Sequence, residues 1–307
     1  MSQYEKGSSH QLLSVIERDL KIIFNIVEEG LCSYGVKFNE VEHYLPNQVN
    51  KSEPTIEDFI KAISTDFPEV NLNSFYHWWA PVKQKPQWDF ISTCNIDGVK
   101  GILLVEAKSH YGEIEDGGKD IVIDLSRNIK KSEEIRLLIM QLYNKDSQKI
   151  RVSAQELESL LISLLSHSLL DDSLLKSCLE KLRHHDQIGD AISEARGALS
   201  HFCSSISISR DTHYQLSNRI AYTWKLASVG IPTILLYLGF INDPAWMPQN
   251  DHFGTKHNWL EAMQCYFAEV GANELLAKKK VTLANGVSMH FLVDIIDLET
   301  QKHIEDK

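Results

Sequence analysis

The sequence predicts an α/β fold: a mixed sheet core flanked by helices, one domain over residues 1–307, with a helical insertion at 128–182. Three observations predict it. Trp88 to Cys94 and Gly101 to Lys108 are apolar, β-forming segments on either side of Asn95-Ile96-Asp97-Gly98, and Asp-Gly between such segments is a strong hairpin signal. A helical pattern from Thr212 to Val229 stops at Gly230 and runs straight into Ile231–Phe240, a short apolar run of the kind buried on both faces of a sheet. A helix feeding such a strand is an α/β crossover. Finally, Ser132–Tyr143, Ser153–His167 and Ser173–Arg183 are successive helical patterns, which marks the insertion.

The remaining elements follow in chain order. Leu12, Leu13, Ile16, Leu20, Ile23, Phe24 and Ile26 recur at spacings of three and four, which predicts a helix over Ser9–Cys32. Tyr34–Pro54 reads as irregular. Thr55 ahead of Glu57 and Asp58 starts a short helix, Ile56–Ser64, with acidic residues in the favourable first turn. Phe67–Gln87, rich in Pro, Asn and aromatic residues, reads as a loop leading into the first hairpin strand. Asp186–Ser200 predicts another helix, and Ile206 and Ile208 a strand-like piece. His257–Lys280 is helical in pattern. Val281–Ala284 and Val287–Ile296, joined by Asn285-Gly286, predict a terminal hairpin.

Composition narrows the function classes. A chain of 307 residues can bury a sizeable core, and 43% hydrophobic with 24% charged residues is ordinary for a globular protein. The net charge of −11 argues against a broad duplex-binding surface, yet leaves room for a local basic groove. Cys32, Cys94, Cys178, Cys203 and Cys265 are scattered, odd in number and without CxxC spacing, which fits reduced thiols. The start of the chain has no signal-like apolar core, and the longest apolar run, Ile231–Ile241, contains a proline and a glycine. A cytoplasmic chain with no membrane partner is expected. The leucine-rich insertion is expected either to cap the fold or to form a homodimer interface.

Chemistry concentrates on the first hairpin. A two-residue turn pairs Ile96 with Val99, and the same register sets Asp89 opposite Glu106, with Lys108 one diagonal step away on the same face. Opposed carboxylates repel. A divalent cation reverses that penalty, so the pair predicts a hard-cation site in which the Ala107 carbonyl is a further ligand. Lys108 would position water or stabilise charge on a phosphorane. On the helix Arg210–Tyr222, the residues Gln215, Asn218 or Arg219, and Tyr222 share a face suited to phosphate, a carboxylate or its water. His110 and Glu113, just past Lys108, form a lesser candidate for extending the metal site or binding substrate. His184-His185-Asp186 is a weaker candidate still, since adjacent histidines diverge on a helix. There is no Walker-type phosphate loop, no nucleophile elbow and no His-Glu-x-x-His pair.

The acidic hairpin resembles the PD-(D/E)XK nuclease superfamily, whose restriction endonuclease-like fold orders its core α-β-β-β-α-β. Asp89 matches the first acidic position, with Trp88 where the family has proline, and Glu106-Ala107-Lys108 matches the second motif. Related exonucleases add a Q-x-x-x-Y helix; here Gln215 matches, Arg219 holds the Tyr position, and Tyr222 comes three residues later. Residues 209–240 are also similar to a group of uncharacterised bacterial proteins with an SRDxHYQLxNR helix. The resemblance implies a metal-dependent nuclease, with a glutamate on the first helix (Glu28 or Glu29) as a further candidate. Asp89 and Glu106 would hold Mg²⁺ or Mn²⁺. Gln215 would orient water, and Arg210 and Arg219 would contact phosphate, with Tyr222 and His110 near the substrate. The expected partner is nucleic acid, DNA foremost. Two rivals are a catalytically inactive nuclease-like module that binds nucleic acid or protein, and a phosphoester hydrolase acting on a small nucleotide.

Overall fold

A computed structural model describes residues 7–39, 42–46, 53–81, 85–114, 117–124, 132–143, 149–169 and 172–300. Its strands are β1 (Val36–Lys37), β2 (Tyr44–Leu45), β3 (Phe90–Ile96), β4 (Val99–Lys108), β5 (Ile121–Asp124), β6 (Lys149–Val152), β7 (Thr233–Ile241), β8 (Lys280–Thr282) and β9 (Ser288–Asp297). Its helices are α1 (Ser8–Asp19), α2 (Lys21–Gly30), α3 (Ile56–Ala62), α4 (Asn73–Tyr76), α5 (Ser132–Tyr143), α6 (Ala154–Ser166), α7 (Asp172–Leu199), α8 (Tyr214–Ser228), α9 (Lys256–Glu269) and α10 (Asn273–Lys278).

One mixed sheet of seven strands organises the chain. Its order is β1-β3-β4-β7-β9-β8, with β2 also on β3. The β3–β4 turn puts both Asp97 (φ 51°) and Gly98 (φ 82°) in the left-handed region, as the twist-matched two-residue hairpin turn requires. β4 pairs parallel with β7, and β7 with β9. Every residue of β7 is buried, as its unbroken apolar run predicts for a central parallel strand.

Alternation sorts the side chains to two faces. Leu103, Val105 and Ala107 join Leu12, Val15, Ile23 and Val27 of α1 and α2 in one core. Ile102 and Leu104 join the other, larger core with α3, α7, α8 and α9. Gly239 lets α9 sit close there: a Cβ at that position would lie 2.6 Å from the Trp259 ring.

Several elements depart from the sequence expectation. The first helix is two, broken at Leu20. The irregular 34–54 stretch contributes two short edge strands, and the 67–87 loop contains α4. Residues 206–208 are not in a strand. α9 and α10 are separated at Gly271, whose φ of 61° ends the helical run. The two helices expected at 173–183 and 186–200 are one, the 28-residue α7, because no proline or turn residue interrupts them. The insertion is not wholly helical: β5 and β6 form a separate two-stranded ladder, so its core begins at Ile121. That core holds Ile135, Ile139, Leu157 and Leu160, and α6 starts with a capping box between Ser153 and Glu156. α7 spans both regions, burying Leu174 and Cys178 in the insertion and Ile188, Ile192 and Leu199 in the main core.

Candidate active site at the mouth of the hairpin

The β3–β4 ladder runs from Ile96↔Val99 to Phe90↔Val105, the register expected from the turn. Asp89 is therefore the residue just before the ladder, across from Glu106. Glu106 and Lys108 lie on the face of β4 that looks at α8. Lys108 Nζ donates to Glu106 Oε1 at 2.8 Å, and Arg219 Nε donates to Oε2 at 2.7 Å. All three side chains are at most 6% exposed. Arg219 is held from three sides: Nη2 donates to the Gln87 carbonyl at 2.6 Å, Nη1 to Asn218 Oδ1 at 2.9 Å, and the guanidinium stacks 4.3 Å from the Trp88 ring. Trp88 thus serves as the platform for the arginine.

Asp89 turns elsewhere. Its Oδ2 accepts from the Ala107 N–H at 2.7 Å, and its Oδ1 accepts from Ser9 Oγ at 2.8 Å, in the first turn of α1. Ser9 Oγ also lies 2.8 Å from Glu53 Oε1. One hydroxyl carries one hydrogen, so satisfying both contacts needs a second proton. Asp89 can supply it: burial first, then Glu106 and Glu53, push its pKa up to about 7 against the pull of Lys108 and the Ala107 N–H. Burial also pushes Glu106 up, but Arg219 and Lys108 outweigh it and leave that carboxyl below its usual range. Lys108 remains a firm cation, since Glu106 and Asp89 overcome the desolvation that would discharge it. The two acids accordingly divide the labour by environment: one stays ionised, the other titrates near neutrality.

The structure gathers Asp89, Glu106, Lys108 and Arg219 and leaves other candidates apart. Gln215 is one helical turn before Arg219 on α8, and its Oε1 is shielded with no hydrogen-bond partner among the described residues. The α8 face expected to meet phosphate is buried, Leu216 through Ala227. Tyr222 packs against Phe75, Trp78 and Trp79, with Glu57 facing its hydroxyl, so it belongs to the core and not to an open groove. Arg210 is a tie to α7: its Nη1 donates to the His185 carbonyl and to Asp186, both at 2.8 Å. His110 pairs with Asp251 at 3.0 Å and stacks on Trp246 at 3.6 Å. Glu113 accepts from the Ser8 and Ser109 N–H groups and fixes the start of α1. His185 Nε2 contacts the Lys119 carbonyl, a structural role. Glu28 accepts from the Phe38 N–H and Lys37, away from the hairpin mouth. The glutamate that does reach Asp89 is Glu53, through Ser9. Neither residue carried a sequence signal, because both arrive from segments remote in the chain.

A divalent cation fits the donor chemistry. Asp89 and Glu106 are hard oxygen donors, and after burial the charges of Glu106 and Glu53 add to the rise in the Asp89 pKa, a repulsion that a cation would relieve. Of Ala107, the group engaged with Asp89 is the N–H and not the carbonyl. Among the described residues, no three His, Cys, Asp or Glu side chains already form a cage. No described helix is long and apolar enough to cross a membrane. No family model, curated protein or solved structure matches this chain.

Proposed function

We propose that this protein is a Mg²⁺- or Mn²⁺-dependent nuclease hydrolysing phosphodiester bonds, with DNA as the substrate. The observation that supports the reading is that Asp89 stands across from Glu106 at the end of the β3–β4 ladder, with Lys108 and Arg219 both bound to Glu106. Asp89 and Glu106 would hold the cation, which supplies Lewis-acid neutralisation of the phosphate. Lys108 keeps its proton at Nζ and offsets charge on the phosphorane oxygens. Arg219 holds Glu106 ionised, a positioning role in place of the phosphate contact expected from sequence.

The test is cleavage of plasmid, single-stranded DNA, RNA and nucleotides with Mn²⁺ or Mg²⁺. Glu106→Gln keeps the side-chain shape but replaces one acceptor oxygen by an NH2 donor, and should lower the rate by at least about a hundredfold, the scale of one lost transition-state contact. Unchanged cleavage by that variant would refute the assignment.

A second reading is a catalytically inactive nuclease-like module. The observation favouring it is that Lys108 and Arg219 already occupy both oxygens of a nearly inaccessible Glu106. Calorimetric titration with Mn²⁺ separates the two readings. Binding that Asp89→Asn abolishes supports the enzyme, and no binding by either protein supports the module.

A further inference from the structure

Helices cover both faces of the main sheet, but the insertion leaves apolar surface outside. Seven of the nine large hydrophobic side chains exposed among the described residues lie within 121–182. The first third of α7 contributes. Its inner face buries Leu174 and Cys178. Its outer face carries Asp172, Leu175, Lys176, Leu179, Glu180 and Arg183, which line a shallow groove. Spacings of three and four put these six residues on one stripe. Leu179 is 51% exposed. Neither Asp172 nor Lys176 has an ion-pair partner among the described residues, and Glu180 has only His184, at 4.0 Å.

The order of charges along the stripe selects its partner. From the N-terminus it reads acidic, apolar, basic, apolar, acidic, basic. A parallel copy would set Asp172 on Asp172 and Lys176 on Lys176. An antiparallel copy sets Asp172 against Arg183, Lys176 against Glu180, and Leu175 against Leu179. The midpoints of these three pairings all fall between residues 177 and 178. They share one centre to within a residue, about 1.5 Å along a helix. Each contact recurs through a two-fold axis, so one apolar strip buries four leucines between four charge pairs.

We propose that a second copy of this chain docks here, α7 against α7 and antiparallel, giving an isologous dimer. The inference is independent of the hydrolytic reading, and its test measures no cleavage.

Sedimentation equilibrium of the full chain at micromolar concentration should return a dimer. Lys176→Glu puts like charges at both symmetry-related contacts and should weaken association about tenfold. Lys176→Glu with Glu180→Lys rebuilds the pair in reverse and should restore it. Circular dichroism confirms the fold of each variant, since both positions are exposed. A wild-type monomer at tens of micromolar, a Lys176→Glu dimer as tight as wild type, or a double variant no tighter than the single would each overturn the proposal.

Discussion

Two buried side chains titrate in opposite senses, and the difference is measurable. Asp89 has its folded pKa raised to about 7 by burial, Glu106 and Glu53. The folded state therefore binds its proton more tightly than the unfolded chain does. The associated stability is present below about pH 4 and is lost as pH rises through 7. His290, in β9, is the reverse. Neither ring nitrogen has a hydrogen-bond partner among the described residues, and burial followed by Lys280 lowers its pKa to about 4, against an opposing pull from Asp97. Its stability is present above the unfolded value near 6.5 and is lost as pH falls toward 4. In chelator, denaturant unfolding of Asp89→Asn should lose less stability than wild type between pH 4 and 7, and His290→Phe should lose less on acidification through 6.5 to 4. Slopes identical to wild type would show that neither group is placed as described. At this scale the sequence showed which residues were chemical but not their state. Asp89 and Glu106 were identifiable from register alone, whereas their opposite pKa shifts depend in part on Glu53, 36 positions from Asp89, and on Arg219, 113 positions from Glu106.

Among the elements, those set by local signals were legible. The Asp97-Gly98 turn fixed the β3–β4 register, and the apolar run fixed β7. The terminal hairpin around Asn285-Gly286 formed as β8 and β9. Helix α8 was placed correctly in sequence but misread in surroundings. Periodicity groups Gln215, Arg219 and Tyr222 on one face without saying whether that face meets water, a carboxylate or aromatic rings. Only the parallel β4–β7 pairing brings Arg219 to Glu106. Packing between elements is just as specific at Gly239. A Cβ there would meet the Trp259 indole at 2.6 Å, so Gly239→Ala should force α9 off the sheet and destabilise by about 1–3 kcal/mol in urea titration. No change in the midpoint would mean that α9 is not seated there.

For the whole molecule, the insertion has its own core and its own two-stranded ladder. Leu160 is 1% exposed within it and touches neither face of the main sheet. Leu160→Ala should cost about 2–5 kcal/mol locally. Hydrogen exchange should then speed up in α5, α6 and β6 while β4 and β7 keep their protection. Equal acceleration throughout would show a single cooperative unit instead. Helical periodicity revealed the insertion's helices, but β5 and β6 were missed because a four-residue strand offers too few positions for alternation to stand out.

The uninterrupted course of α7 has a mechanical consequence. A helix of 28 residues is a rod about 42 Å long. One end is embedded in the insertion, while the other runs past Arg210 and lies alongside α8, which carries Arg219. One continuous helix thus ties the core of the insertion to α8, whose Arg219 grips Glu106.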